Sequence, residues 1–293
     1  MSAQSSLFDQ THQPPVERPS ILIEPTRGLV NIQLKALWQY RELLYFLVWR
    51  DIKVRYKQTV LGVLWIVLQP LVTMVVFSLL FGSLLKVPSE GVPYPIFAYT
   101  ALLPWNYFAS SLNKSSTSLV SNSQLLSKVY FPRLIIPISG VLSGLVDFGV
   151  AFLVLGGMMI YFKISPTPTM VLLPGFLFLA MLTALGFSLW LSALNIRYRD
   201  VNYLIPFLIQ IWMYITPVIY GRTLIPERFR FILDLNPMTG VVTGFRWALL
   251  GSQLTDVKAP GWLFAVSVVI VLVVLVSGAL FFRSTERTFA DIV

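Results

Sequence analysis

LVWRDIKVRYKQTVLG, residues 47–62, sets a dense block of charge directly against a long run that has none. Five of the eight residues from Arg50 to Lys57 are charged, four of them basic, and from Gln58 no Asp, Glu, Lys or Arg appears until Lys86. The uncharged run is longer than the roughly 20 residues a membrane-crossing helix requires. A basic block flush against such a run is the pattern of a chain entering lipid from the cytoplasmic side.

Composition carries the same message outward. Of 293 residues, 56% are hydrophobic and 12% charged, about half the charged fraction of an ordinary soluble domain. A water-soluble fold of this length has too little interior to hide that much apolar surface, so lipid is part of the solvent. The net charge of +9 therefore reads as membrane topology, and no nucleic-acid partner is expected. Cysteine is absent, which excludes disulfides, thiol nucleophiles and Cys-ligated metals. The single histidine, His12, lies in a polar head, MSAQSSLFDQTHQPPVERPS, that reads as disordered and builds neither a metal site nor a general base. No short apolar stretch near the N-terminus reads as a cleaved signal peptide.

Gaps between charges give the organisation. Runs 58–85, 91–113, 134–162 (interrupted by Asp147 alone), 164–196, 201–221 and 259–282 predict six transmembrane helices. The second, rich in proline and aromatics (PYPIFAYTALLPWNYF), is expected to be broken or tilted. With both termini in the cytoplasm, fifteen of the 22 Lys and Arg fall inside, as the positive-inside rule requires. Ahead of the first span, Leu37, Trp38, Leu44, Tyr45, Val48, Trp49 and Ile52 recur near helical spacing, while Lys35, Gln39, Glu42, Arg50 and Lys53 occupy other faces. That pattern predicts an amphipathic helix in the headgroup plane, either a passive surface helix or a lever on the first span.

The run IEPTRGLVNIQLKALWQYRELLYFLVWRDIKVRYKQTVLGVLWIVLQPL, with LPWNYF, LVSNSQLLSKVYFPRLIIP, NIRYRDV and LNPMTGVVTGFRWALLG, resembles the membrane subunits of polysaccharide-exporting ABC transporters. These are the Wzm-like permeases of O-antigen export and their capsule and teichoic-acid relatives. The resemblance covers nearly all of the chain beyond the first 20 residues. It implies an all-α integral membrane protein of six transmembrane helices, with an N-terminal interface helix and short re-entrant periplasmic helices between helices five and six. The expected layout is a cytoplasmic N-terminus over 1–30, an interface helix over 31–57, a transmembrane domain over 58–282 and a cytoplasmic C-terminus over 283–293. A coupling segment is expected at 114–133 and a periplasmic gate segment at 222–258.

No G-x-x-x-x-G-K-[ST] phosphate loop occurs, so no ATP-hydrolysing motif is visible. Asp147 is the one ionisable residue well inside a predicted span, too few for a proton relay. It either faces a watery path or bonds to a neighbouring helix. The resemblance supplies the energy source: two copies of a separate nucleotide-binding subunit, holding ATP and Mg, work with a homodimer of this chain. No cofactor or metal is expected in the chain itself. The substrate implied is a lipid-linked glycan, and the location the bacterial inner membrane.

The resemblance also places residues. Contact with the ATPase subunit is expected at Leu119, Ser123, Leu125, Leu126 and Lys128, and again at Arg197, Arg199 and Asp200. The lever is expected to use Trp38, Arg41, Trp49, Arg50, Lys53 and Arg55. Helices one and five line the channel in the family, and aromatic rings offer stacking faces to sugars. That points to Trp65, Phe77, Phe207, Trp212, Tyr214 and Tyr220, with Tyr99, Trp105 and Tyr107 from the second helix. Two short helices are expected at 226–233 and 237–250, the second begun by Pro237, and Arg246 is expected near the outer mouth, where an anionic lipid phosphate meets it. A permease for a drug or lipid shares the six helices but leaves the lever and the ring-rich spans unexplained. A membrane-embedded glycosyl- or acyltransferase needs a catalytic His or acid pair at the membrane surface, and none is visible.

Overall fold

The structure, a computed structural model, describes residues 34–57, 62, 64–251, 253–254, 261–286 and 289, and all regular structure among them is helical. The expectations for the head, 1–30, and for the tail after Glu286 apart from Phe289 lie outside the described residues. A short α1 (Leu34–Gln39) leads into α2 (Arg41–Lys57). Then follow α3 (Leu64–Phe77), which runs on as a π-helical segment over Ser78–Leu84, and α4 (Tyr94–Ser121). A short α5 (Ser123–Lys128) precedes α6 (Ile135–Tyr161), and a 3-10 turn over Pro168–Leu172 opens α7 (Leu173–Arg197). The chain ends with α8 (Val201–Ile215), α9 (Glu227–Asp234), α10 (Pro237–Leu250) and α11 (Trp262–Glu286).

Among the described residues, four helical stretches are long and apolar enough to cross a membrane: Leu64–Leu84, Ile135–Tyr161, Pro168–Arg197 and Phe264–Glu286. The expected second span departs from its prediction. Rather than breaking, α4 runs for 28 residues, about 42 Å. Pro95 falls in the first turn, where its missing N–H is no loss, and Pro104 is carried inside the helix with the ladder resuming beyond it. Thr100, Ser111, Ser115, Ser116 and Ser118 are buried, because α4 is the hub of the packing, in contact with α3, α6, α7, α8 and α10. The fifth span is shorter than its charge gap. At 15 residues, α8 is about 22 Å long, after which the chain turns irregular at Thr216.

Small residues let the central helices approach. A Cβ on Gly140 would lie 2.9 Å from Ser115 Cα, and one on Gly144 2.6 Å from Ser111 Oγ. Two small residues one turn apart on α6 thus meet two on α4, the close-contact pattern of helices in lipid, where van der Waals packing replaces hydrophobic burial. Between α7 and α11 the same device appears as Gly186 against Leu275 and Gly278 against the Gly186 carbonyl. Ser115 adds polar stitching, donating to the Pro137 carbonyl and lying 2.8 Å from Ser188 Oγ on α7.

At the α5 end, Leu47 of α2 is buried with Leu119, Phe131, Ile135, Ile136, Ile196 and Phe282. From there α2 stays against the bundle. Its polar residues find partners progressively farther along the long helices, at Asn122, then Lys114, then Asp147. Asp147 is twelve residues into α6, about 18 Å from its start. The latter half of α2 therefore climbs beside α4 and α6.

Candidate functional site

A cavity of about 610 Å³ opens where α2, α3, α4, α6 and α8 converge. Apolar and aromatic walls come from Trp65, Tyr99, Leu103, Tyr107, Phe148 and Ile209, and amide or hydroxyl groups from Gln69, Asn106, Ser110 and Asn113. One end is charged: Arg55, Tyr56, Lys114 and Asp147 all line it. Concave, mostly apolar, with a few convergent polar groups, it has the makeup of a small-molecule or headgroup site.

The charged end is a network between helices. The Arg55 guanidinium pairs with Asp147 Oδ2, and the Tyr56 hydroxyl donates to Oδ1 of the same carboxylate. Asp51 takes Lys114 Nζ at 3.1 Å and Arg50 Nη2 at 2.9 Å. Arg50 also donates to Asn122 Oδ1 at 2.8 Å, and Lys114 to Ser143 Oγ at 2.7 Å. Asp147 thus both bonds to a neighbouring helix and faces the cavity. The charges sit at the helix junction because a lone carboxylate within a span is costly unless paired. Loss of water around Tyr56 raises its phenol pKa above the ordinary value despite the Arg55 charge beside it, so Tyr56 stays protonated and is held as a donor.

A second centre lies at the α9 end. Arg246 is 2% exposed. Its Nη1 donates to the carbonyls of Pro217 at 2.7 Å and Tyr220 at 3.1 Å, its Nη2 to Val218 at 2.7 Å, and its Nε to Phe97 at 3.4 Å. The group stacks on the Phe97 ring, 3.6 Å from its centroid. Buried in this cage, its guanidinium is closed off from the lipid phosphate expected to meet it. Pro237 is buried at the first turn of α10, capped by Asn236, whose side chain accepts from the Met238 N–H at 3.0 Å. Most of α10 is buried against α4, α7 and α11.

The structure divides the expected channel aromatics. Trp65, Tyr99 and Tyr107 line the cavity. Phe207 and Tyr214 are exposed on α8. Trp105 is buried beside Phe108, and Phe77 packs edge-on against Phe81. Trp212 is wedged between Phe108 and Phe187 and donates to Asn236 Oδ1 at 2.9 Å. Tyr220 is half-buried, its carbonyl in the Arg246 cage. These last four are packing residues in this conformation.

Of the expected ATPase contacts, Leu119 is buried, while Leu125 and Leu126 are half-buried against the Leu47 cluster. Ser123 is half-buried; Lys128, Arg197, Arg199 and Asp200 are exposed. Exposed large apolar groups at this end include Tyr203 (81%) at the start of α8, Tyr130 (78%), Tyr198 (54%) and Val129 (51%). Tyr130 is not among the contacts expected from the sequence. The signal available was an aromatic beside a basic residue in KVYFPR, outside any helical pattern. In the expected lever, Trp38 and Trp49 are exposed, with Arg41 and Lys53 over their respective rings at 5.6 and 4.3 Å. Arg50 and Arg55 are engaged with protein carboxylates.

Residues 42–250 match the family model described as ABC-2 type transporter. Among curated proteins, the chain is 33% identical over 264 residues to an O-antigen export system permease protein of Myxococcus xanthus, covering 88% of this chain and 98% of that one. A Klebsiella pneumoniae protein of the same description is 31% identical, covering 73% and 82%. The polysialic acid transport protein of Escherichia coli is 22% identical, covering 81% and 91%.

Proposed function

The chain belongs to the ABC-2 type transporter family, and on that premise we propose that it is the channel-forming permease of an exporter for a lipid-linked, O-antigen-like polysaccharide. Two copies assemble in the inner membrane and move the glycan outward from the cytoplasm, driven by two copies of a separate ATPase that holds ATP and Mg. The observation that carries this reading is the end-to-end similarity to an O-antigen export permease. Six crossings are made by the helices starting at Leu64, Tyr94, Ile135, Leu173, Val201 and Trp262, with the α5 end and both termini in the cytoplasm. The pair α9–α10 is re-entrant, and the interior position of α10 supports that.

The surfaces of α3 and α8 support the dimer. In α3 only Pro70 is buried, and in α8 only Ile205, while Leu68, Val72, Val75, Tyr203, Phe207 and Ile211 are exposed. Apolar helices left this bare face either lipid or a second copy, and the second copy makes α3 and α8 the walls of a shared channel. Exposed Phe207 and Tyr214 then offer rings to the sugar.

Deletion of the gene, followed by analysis of surface glycan and of lipid-linked intermediate, tests the reading. The expected result is loss of one surface polysaccharide with its lipid-linked precursor trapped inside. Unchanged surface glycan overturns it.

A further inference from the structure

We propose that Glu90, in the turn between α3 and α4, is a positioning residue that latches the segment 217–223 after α8, and that each transport cycle releases it. That the latched segment closes the outer mouth of a channel rests on the proposed export function; the latch itself rests on the geometry.

Local sequence preference does not account for a glutamate at this place. Glu90 and Gly91 have φ of 56° and 95°, and the Val92 N–H donates to the Ser89 carbonyl at 3.2 Å. Two central residues with positive φ make a tight turn that favours Asn-Gly, Asp-Gly or Gly-Gly. Glutamate lacks the short side chain that bonds its own backbone and eases the left-handed conformation. Its partners lie across the fold instead. Glu90 is 8% exposed, and its Oε1 accepts from Thr223 Oγ1 at 3.4 Å.

The receiving backbone is shaped for that carboxylate. A Cβ on Gly221 would overlap Glu90 Oε1. The φ of Gly221 is an ordinary −80°, so close approach, and not a left-handed conformation, calls for glycine there. Arg246 attracts Glu90 while gathering the carbonyls of Pro217, Val218 and Tyr220. Tyr94 adds a neutral tie, its hydroxyl donating to the Ile219 carbonyl at 2.6 Å. An anion from the α3–α4 turn and a cation from α10 thus hold one short segment between them.

The two holders differ in how readily they move. Arg246 belongs to a helix buried along most of its length. Around Glu90, by contrast, Lys86, Pro88 and Gly91 are exposed, so the turn can withdraw without unpacking the bundle. It is joined to α3 through the π-helical stretch Ser78–Leu84, where the Leu85 N–H reaches back five residues to the Leu80 carbonyl at 2.9 Å. Such stretches recur at functional sites and hinges. A shift of α3, one of the proposed channel walls, draws Glu90 off Gly221 and frees the end of α8, the other wall.

The native chain has no cysteine, so Val218→Cys places a single thiol at a fully buried point of the segment. The full-length reporter is labelled with a membrane-impermeant maleimide in spheroplasts of an exporting strain, then purified. It is expected to label about threefold faster with an active ATPase than with a hydrolysis-deficient one. Adding Glu90→Gly suits the turn but removes the carboxylate. That change is expected to raise the rate about tenfold and to abolish its dependence on ATP hydrolysis. A glutamate that served only its own turn predicts unchanged burial of Val218→Cys. Should Glu90→Gly fail to reach the membrane, Glu90→Asn carries the same expectation, because Asn tolerates left-handed backbone and its amide stops one methylene short.

Equal labelling with and without the Glu90 substitution overturns the proposal. So does a reporter indifferent to ATPase activity, which would make Glu90 a static tie. Failure of the export reading shows separately, as surface glycan unchanged by deletion of the gene.

Discussion

The guanidinium of Arg246 lies over the ring of Phe97, 3.6 Å from its centroid, while its nitrogens donate to the carbonyls of Pro217, Val218 and Tyr220. One side chain from α10 thereby fixes the irregular segment after α8 against the start of α4. Lysine cannot reproduce this, because a single ammonium has neither the planar face nor the fork that reaches three carbonyls. Arg246→Lys is expected to cost about 3 kcal/mol or more, since hydrogen bonds to a buried charge contribute about 1.5–3 kcal/mol each. The measurement is thermal unfolding in detergent. An unchanged midpoint would show that the cage contributes little.

That cage marks the limit of what the sequence discloses. Four apolar helices of membrane-crossing length were legible because gaps between charges survive any packing, and the helix at Pro237–Leu250 was legible from its proline start. Arg246 read as exposed because its carbonyl partners lie 26 to 29 residues before it and Phe97 149 residues before. Asp147 likewise takes its partners from α2, more than 90 residues earlier. Proline signals misled for α4, where neighbouring helices shelter the polar groups that Pro104 disturbs. The π-helical segment at Ser78–Leu84 left no composition signal beyond Gly82, whose missing Cβ makes room for the Tyr94 ring, 2.9 Å from its Cγ.

Glycines on α6 give an internally controlled test. Gly140 faces the backbone of α4 with no space for a methyl group, whereas nothing lies within 4 Å of a Cβ on Gly156. Gly140→Ala is expected to destabilise by about 1–3 kcal/mol through overpacking. Gly156→Ala is expected to be neutral or stabilising by up to about 1 kcal/mol, because it adds helix propensity without a clash. Thermal unfolding of the two variants side by side checks the pair. Equal effects would mean that α4 and α6 are not in close contact.

Exposure favours an expected ATPase contact at the residues after α5 rather than at its leucines. Leu125 and Leu126 already pack against the Leu47 cluster, so acidic substitutions there threaten the fold before they report on docking. Tyr130 and Val129 are exposed, and charge at an apolar docking surface opposes association with little cost to the free subunit. Tyr130→Asp with Val129→Asp is expected to lower ATPase co-purification at least tenfold while the unfolding midpoint stays within a few degrees. Full retention of the ATPase would place its contact elsewhere, with the Arg197–Asp200 segment the next to change.

The opening block of charge divides into two pairs with different work. Lys53 and Lys57 are exposed, Lys53 lying over the Trp49 ring, and each such cation is attracted to an anionic leaflet by about 1 kcal/mol. Arg50 and Arg55 instead tie α2 to Asn122 and Asp147. Reversing the lysines to Glu is expected to weaken only the hold on the membrane surface, leaving ATPase binding and surface glycan within about twofold of normal. Reversing the arginines to Glu sets new carboxylates beside Asp51 and Asp147, and like charges at that range repel in a low-dielectric setting. The upper half of α2 then parts from α4 and α6, while Val129 and Tyr130 are untouched. The expected protein reaches the membrane and retains its ATPase but exports poorly. Membrane level, ATPase co-purification and surface glycan are measured in the same strain. Normal export from the arginine variant at normal level would show that attachment of α2 to the bundle plays no part in transport. Equal loss from both variants would reduce the whole block to an anchor.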